Sequence, residues 1–232
     1  MVSYNDITKL TFLYENKLHN KLLDYIFNLC GSTNILDILH FIKQERFVET
    51  TANIKINYDN KEVIIFKENF LTDLPEKETR AYTYNDFEYF IDYPDIINYT
   101  CSSAYCIKKI KYCDEEYVFN TIEDYNIIPM KMYSDLKPHV DEYLETLTNV
   151  NIYNVGNVQR GFFLNIDLII NVIYLAFVTS YKHLVQEQLF LMKEFNFTYE
   201  SFSKLSPHEI AHYVKAGIKT INERNNSETY RT

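Results

Sequence analysis

The longest apolar run of the chain, residues 161–181, constrains the fold more than any other segment because lipid or protein must cover it. As a helix it would measure about 31 Å, which is enough to cross the hydrocarbon core of a membrane. It also contains Asn165, Asp167 and Asn171. A central Asp costs about 2.5 to 3.5 kcal/mol on membrane insertion, whereas each Leu or Ile contributes only about 0.3 to 0.6 kcal/mol. We therefore expect a helix buried in protein, with attachment to a membrane through this run as the alternative.

The apolar pattern continues past residue 181 in steps of three and four residues, through Leu184, Leu189 and Met192. It predicts one long helix from about Gly161 to Phe195, fully buried at its start and amphipathic later. A buried Asp needs polar partners, because an unpaired carboxylate inside a protein is strongly destabilising. We expect these partners in the same domain or in a neighbouring subunit. The predicted partner interface comprises Asn165, Asp167, Asn171, Phe195, Phe197 and Tyr199.

Helical spacing dominates both ends of the chain, residues 1–48 and 129–232. In the first part, apolar residues at steps of three and four predict one long helix that ends at Gly31, followed by a shorter helix. In the last part, residues 134–147 are predicted to form a helix with Pro138 in its first turn, where proline is tolerated. We expect these two parts to form one compact unit.

Residues 49–128 instead alternate between apolar and polar side chains and are rich in tyrosine. Asp59 and Asn60 supply a turn between two such runs, which predicts a β-hairpin. Tyrosine suits such a sheet because its ring packs while its hydroxyl stays in water. The sequence therefore predicts an α+β fold in which a mainly antiparallel, tyrosine-rich β insertion interrupts the helical parts.

Composition narrows the classes of function. The 232 residues include 23 Lys and Arg against 32 Asp and Glu, a net charge of −9, and only 4 Gly beside 21 Tyr and 16 Phe. Nucleic acid is not expected as a partner, because phosphate neutralisation by Lys and Arg supplies most of that affinity. The sequence has no glycine-rich phosphate loop, so we expect no nucleotide cofactor. The four cysteines have neither disulfide-framework nor zinc-knuckle spacing, and the first residues do not have the layout of a signal peptide.

One catalytic motif occurs literally, since residues 208–212 read H-E-I-A-H and match the H-E-x-x-H pattern of zinc hydrolases. His208 and His212 would lie one helical turn apart, with Glu209 as the base that activates a metal-bound water. The longer form of the motif, with Gly and a third His, is missing from the sequence. The segment also reads as a helix start, with Ser206 as N-cap, proline next and Glu209 closing a capping box. We therefore expect no metal, cofactor or catalytic residue, with a zinc hydrolase as the alternative.

The last part of the chain also has a recognisable order of features. Residues 188–225 contain the end of a long apolar helix, an aromatic and polar turn, and a helix opened by a small residue, proline and an acid. These positions are held by Phe195, Phe197, Tyr199, Ser206, Pro207 and Glu209. This order resembles the end of the baseplate-hub and tape-measure assembly proteins of contractile-tailed bacteriophages. The upstream order, a helical start followed by strands, is similar too, although the C-x-x-C pairs of several family members are missing.

This resemblance implies a non-enzymatic structural or assembly protein of the phage tail, located in the virion or in the host cytoplasm. Its partners would be other tail or virion proteins, or further copies of itself. A head-to-tail connector or another structural protein of the virion is the alternative within the same class.

Overall fold

The structure, a computed structural model, describes residues 1–48 and 52–229 and has an α+β fold, as the sequence predicts. Its α-helices are α1 (Tyr4–Glu15), α2 (His19–Cys30), α3 (Ile35–Arg46), α4 (Ile122–Tyr125), α5 (Met130–Thr148), α6 (Ile166–Phe177), α7 (Tyr181–Phe195), α8 (Tyr199–Ser203) and α9 (Pro207–Thr229). Its strands are β1 (Asn53–Tyr58), β2 (Lys61–Phe66), β3 (Phe70–Thr72), β4 (Arg80–Tyr84), β5 (Phe87–Ile91), β6 (Ile96–Ile97), β7 (Thr100–Cys101), β8 (Ile107–Tyr112), β9 (Glu115–Val118), β10 (Asn151–Val155) and β11 (Val158–Gly161).

The chain folds into two compact units. The terminal unit consists of Met1–Leu22 and Phe177–Thr232, and the central unit is Leu23–Ala176. The sequence-based division at residues 48 and 128 follows the change between helix and strand, whereas the contacts divide the chain inside α2 and at the end of α6. The predicted start of the insertion at residue 49 lies outside the described residues.

The first helical segment is broken, so the prediction of one helix up to Gly31 is wrong. α1 ends at Glu15, and Lys17 adopts a left-handed conformation with φ 57°. The amide of Asn16 and its side-chain Nδ2 both donate to the carbonyl of Phe12, at 3.1 and 2.8 Å, which closes the helix end. α2 then runs to Cys30, and Gly31 ends it with φ 74°, as predicted.

Three antiparallel sheets of the central unit lie where the sequence predicts the β insertion, and β10 and β11 add a further hairpin that pairs with β3. The predicted turn at Asp59 and Asn60 joins β1 to β2, and both residues have positive φ, 49° and 59°, as a two-residue hairpin turn requires. The largest sheet has the strand order β4-β5-β8-β9. All of its neighbouring strands are antiparallel, which confirms the predicted sheet.

Polar and stacking contacts join α5 to strand β4 of this sheet. The hydroxyl of Tyr84 donates to Asp135 Oδ2 at 2.5 Å, and the ring of Tyr82 stacks on His139 with centroids 3.9 Å apart. α5 starts at Met130, four residues earlier than expected, because Pro129 with ψ 138° already provides the extended N-cap position. Pro138 therefore lies inside the helix, and its predicted place in the first turn is wrong.

The apolar run around residues 161–195 forms two helices. Helical structure begins at Ile166 because residues 158–161 belong to strand β11, and Val178 to Ser180 interrupt it between α6 and α7. The long helical run is thus present as predicted, but it starts later and is divided. The division coincides with the boundary between the units, so α6 lies almost entirely in the central unit and α7 in the terminal unit.

Two tyrosines of the central unit give a matched pair of tests. Tyr89 is fully buried, and its hydroxyl has no hydrogen-bond partner among the described residues, whereas the hydroxyl of buried Tyr143 donates to the carbonyl of Glu78 at 2.6 Å. We expect Tyr143→Phe to lower the free energy of unfolding by about 1 to 2 kcal/mol, and Tyr89→Phe to leave it unchanged or to raise it, because only the first substitution removes a hydrogen bond. Urea denaturation measures both. A larger loss for Tyr89→Phe than for Tyr143→Phe would contradict the assignment.

Candidate interaction surface

The terminal unit is held together by α1 against α7. Tyr4 of α1 is buried, and its hydroxyl donates to the carbonyl of Leu184 at 2.9 Å and to Glu187 Oε2 at 3.0 Å. Burial and the nearby Glu187 carboxylate raise the pKa of Tyr4 well above its usual range. A capping box between Ser3 and Asp6 fixes the start of α1. One side of α7 is therefore fastened to α1 by packing and by hydrogen bonds.

α9 packs closely on α7 at Gly217. A Cβ added at this glycine would lie 2.7 Å from Phe190 Cζ and 2.9 Å from Phe195 Cε2. Such separations are shorter than carbon atoms tolerate, so the glycine allows the backbone of α9 to approach the aromatic side chains of α7.

A neighbouring side of α7 is apolar and exposed. Leu184 and Leu191 point into the terminal unit and are 2% and 0% exposed. Tyr181, Leu189 and Met192 are 39%, 62% and 43% exposed, and Val185 is half-buried between them. Steps of three and four residues place these side chains next to one another on one helix face. We name this surface, formed by Tyr181, Val185, Leu189 and Met192, the α7 stripe.

Basic side chains border the α7 stripe. Lys182 and Lys193 lie on its outer edge by helical spacing, and both are exposed. At the N-terminal end of α7, the ring of Phe12 from α1 lies 6.1 Å from the ring of Tyr181 and is 46% exposed, so it extends the apolar surface. Glu187 faces Tyr4 on the inner side of the helix. Lys193 Nζ lies 3.9 Å from Glu194 Oε1, and Glu15 Oε1 accepts a hydrogen bond from the amide of Tyr181 at 3.1 Å. The surface is thus apolar in its middle, with lysines along one edge and a carboxylate at its N-terminal end.

Charge differs strongly between the two units. By sequence, the terminal unit carries ten Lys and Arg against eight Asp and Glu, a net charge of +2. The central unit carries 13 Lys and Arg against 24 Asp and Glu, a net charge of −11. The negative charge of the chain therefore belongs to the central unit alone.

The three polar residues of the predicted interface lie at the start of α6. Asn165 is the residue before the helix, and its Oδ1 accepts a hydrogen bond from the amide of Asp167 at 2.7 Å. Asn171 is only partly buried and donates from Nδ2 to the carbonyl of Asp167 at 2.8 Å, while the Asp167 side chain is exposed. The prediction of a buried Asp167 is therefore wrong, because the helix starts at Ile166 and turns these groups towards solvent. Their role in a partner interface stays a prediction.

The three predicted aromatic residues lie in the terminal unit. Phe195 and Phe197 both contact Tyr213 of α9, with ring centroids 5.7 and 5.0 Å apart. Tyr199 is 59% exposed, and its hydroxyl donates to Asn5 Oδ1 at 3.2 Å. Phe195 and Phe197 thus pack between α7 and α9, while Tyr199 has the exposure expected of a contact residue.

Residues 208–212 form the first turns of α9. Glu209 Oε2 accepts hydrogen bonds from the amide and hydroxyl of Ser206 at 2.8 and 2.9 Å, which is the predicted capping box. His208, Glu209 and His212 are all exposed. Among the described residues, no group of three or more His, Cys, Asp or Glu is placed to hold a metal ion. α9 itself continues to Thr229.

The four cysteines are free thiols in the central unit. Burial raises the pKa of Cys106 to about 12 and that of Cys101 to about 11, so neither is a thiolate near neutral pH. Cys30 lies in an open cleft of about 610 Å³ beside Asp37, and partial burial together with the Asp37 charge raises its pKa as well. Asp37 accepts hydrogen bonds from Ser32 and Lys77, both at 2.7 Å. The polar groups of this cleft therefore fasten neighbouring segments to one another.

By length and composition, one helical stretch in the described part of the chain is apolar enough to cross a membrane. This stretch is Ile166–Phe195, 30 residues long, and 44% of its most apolar 18-residue segment is buried. Core helices of soluble proteins also meet this criterion, so it is weak evidence for a membrane span.

No protein-family model matches the chain, and no curated protein or solved structure is significantly similar to it.

None of the four residues of the α7 stripe, namely Tyr181, Val185, Leu189 and Met192, was among the predicted interface residues. Their signal is visible in the sequence, because α7 carries apolar residues on two faces. In the sequence, Leu184, Leu189 and Met192 belong to one apolar pattern of an amphipathic helix, whereas the structure buries Leu184 and exposes Leu189 and Met192. Only the positions of α1 and α9 decide which face is covered.

The close approach of α9 to α7 predicts that valine destabilises the chain far more at position 217 than at the neighbouring position 216. Gly217→Val would place side-chain atoms too close to the rings of Phe190 and Phe195. Ala216 is exposed, so a valine at that position has room. We expect Gly217→Val to lower the free energy of unfolding by about 1 to 3 kcal/mol and Ala216→Val by less than about 1 kcal/mol. Thermal or urea denaturation measures both losses. Equal losses would show that α9 does not approach α7 at Gly217.

The capping box predicts an acid-sensitive helix start. Hydrogen bonds donated by the backbone amide and then by the hydroxyl of Ser206 hold the pKa of Glu209 below its usual range. The capping box therefore stabilises α9 at pH values above the ordinary glutamate pKa of about 4.3. This contribution is lost as the pH falls through the lower pKa that Glu209 has in the folded chain. We expect an NMR titration to show that Ser206→Ala raises the pKa of Glu209 part of the way towards about 4.3, because alanine removes the hydroxyl and keeps the backbone amide. The same pKa in both chains would contradict the capping box.

Proposed function

We propose that the chain is a non-enzymatic structural or assembly protein that binds another protein through the α7 stripe. The observation that carries this proposal is the exposure of Tyr181, Leu189 and Met192 side by side on a helix whose other face is fastened by Tyr4. Exposed apolar surface rimmed by polar groups is typical of protein-binding sites. Complete burial of a single Leu or Met side chain contributes about 1.5 to 3 kcal/mol, so a partner that covers the stripe gains several such contributions.

The setting that we propose is the tail of a contractile-tailed phage, or its head-to-tail connection. The resemblance of residues 188–225 to tail assembly proteins supports this setting, and Leu189 and Met192 of the α7 stripe lie within that segment. The partners are then tail or virion proteins, and the location is the virion or the host cytoplasm. Binding of this kind requires no metal, cofactor or nucleic acid.

Leu189→Asp tests the proposal, because it places a charge at the most exposed position of the stripe. The matched control is Phe163→Asp in the central unit, since Phe163 is 55% exposed and lies outside the stripe. We expect genes for tail sheath, tail tube or tape-measure proteins beside the gene for this chain, and co-purification with at least one of their products. Leu189→Asp should weaken that binding at least about tenfold, a loss of about 1.4 kcal/mol, while Phe163→Asp retains it.

Two results would contradict the proposal. One is equal binding by the Leu189→Asp and Phe163→Asp chains, which would place the contact elsewhere. The other is the lack of binding to any product of the flanking genes. Circular dichroism of each variant verifies that the helices are intact.

A further inference from the structure

We propose that the α7 stripe also binds the central unit of a second copy of the chain, so that copies associate head to tail. This inference rests on the proposed function in one respect, because it takes the α7 stripe to be a protein-binding surface. It adds the partner, which is the chain itself, and the surface of that partner.

Charge argues against a symmetric contact between two α7 stripes. In such a contact, two copies of α7 would cross antiparallel, with Val185 and Leu189 near the two-fold axis. Lys182 of one copy would then lie opposite Lys193 of the other. Like charges at the edge of an interface are unfavourable and select against that arrangement.

The central unit offers the complementary charge. Its net charge is −11, against +2 for the terminal unit that carries the stripe. Opposite net charges accelerate the encounter between two surfaces and favour one partner over another. A second copy of the chain therefore provides an acidic partner for the basic edge of the α7 stripe.

Within the central unit, the segment from α4 into α5 combines acidic groups with exposed apolar side chains. Ile127 and Met130 are 65% and 79% exposed. Ile127 lies in the turn between α4 and α5, and Met130 is the first residue of α5. Glu123, Asp124 and Asp135 surround them in sequence, against the single basic residue Lys131. We name Ile127 and Met130, with these three acids, the α5 entry surface.

Asp124 of the α5 entry surface is held in its charged form. Backbone hydrogen bonds from Asn120 and Thr121 hold the pKa of Asp124 below its usual range. Met130 is the first residue of α5, and its side chain is exposed. In sequence, acids flank the exposed apolar residues of this surface, whereas Lys182 and Lys193 lie along one edge of the apolar α7 stripe. The two surfaces are complementary in this respect.

A head-to-tail contact has a consequence that a symmetric one lacks. Each bound copy retains one unused α7 stripe or one unused α5 entry surface, so association continues into rings or open filaments. We therefore expect the average mass of the purified chain to increase with concentration beyond that of a dimer. Sedimentation velocity or light scattering measures this mass, and 1 M NaCl should reduce it by screening the charges.

Two substitutions test the contact from both sides. Leu189→Asp alters the stripe and Met130→Asp alters the α5 entry surface, and an acidic residue in the first turn of α5 is compatible with the helix. We expect each variant alone to be monomeric. A mixture of the two should form a dimer that does not grow further, because each variant retains the surface that the other has lost. Phe163→Asp serves as the control and should associate like the unaltered chain.

Several results would overturn the inference. A chain that stays monomeric at the highest concentrations, or a symmetric dimer that Met130→Asp leaves unchanged, excludes the head-to-tail contact. A mixture of the two variants that stays monomeric excludes it as well. Co-sedimentation of the monomeric chain with vesicles of phosphatidylserine and phosphatidylcholine, lost in Leu189→Asp, would assign the stripe to a membrane surface.

Met130→Asp also separates this inference from the proposed function. It alters only the surface of the second copy, so it should bind the product of a flanking gene as well as the unaltered chain does. Retained binding without self-association would overturn the inference alone. Self-association without binding to any flanking product would contradict the proposed function alone.

Discussion

The apolar run from Ile166 to Phe195 has to be removed from water, and the packing within each unit depends on how the chain meets this requirement. The chain divides the run at Val178 to Ser180 and gives one helix to each unit. α6 supplies Leu168, Ile169 and Val172 to buried positions. α7 is fastened to α1 through Tyr4, which satisfies a backbone carbonyl and a carboxylate with one buried hydroxyl. Each unit therefore obtains a core element from the same apolar run.

The terminal unit covers only part of α7. α1 and α9 pack on the inner side of the helix, and Gly217 allows the close approach of α9. The outer side has no covering element among the described residues and keeps Leu189 and Met192 in solvent. This uncovered face, combined with a basic edge, connects the packing of the unit to the binding role that we propose. The central unit has the opposite net charge, −11 against +2 for the terminal unit.

Local signals in the sequence predicted much of the fold, and long-range contacts decided the rest. The hairpin at Asp59 and Asn60 and the capping box at Ser206 were predictable, because each depends on residues only a few positions apart. The breaks at Lys17 and Val178 to Ser180 were not, since apolar spacing continues across them. The exposure of the α7 stripe depends on where α1 and α9 pack. The charge difference between the units becomes visible only when their boundaries inside α2 and α6 are known.

The central claim is that the outer face of α7 is free in the isolated chain and covered in the assembled state. Cysteine labelling measures this directly, in a chain where exposed Cys113 is replaced by Ser and Leu189 by Cys. We predict rapid reaction of the new thiol with a maleimide in dilute solution, and at least about tenfold slower reaction in the assembled or partner-bound chain. Phe163→Cys should react equally fast in both states. Equal reactivity of residue 189 in both states would contradict the account.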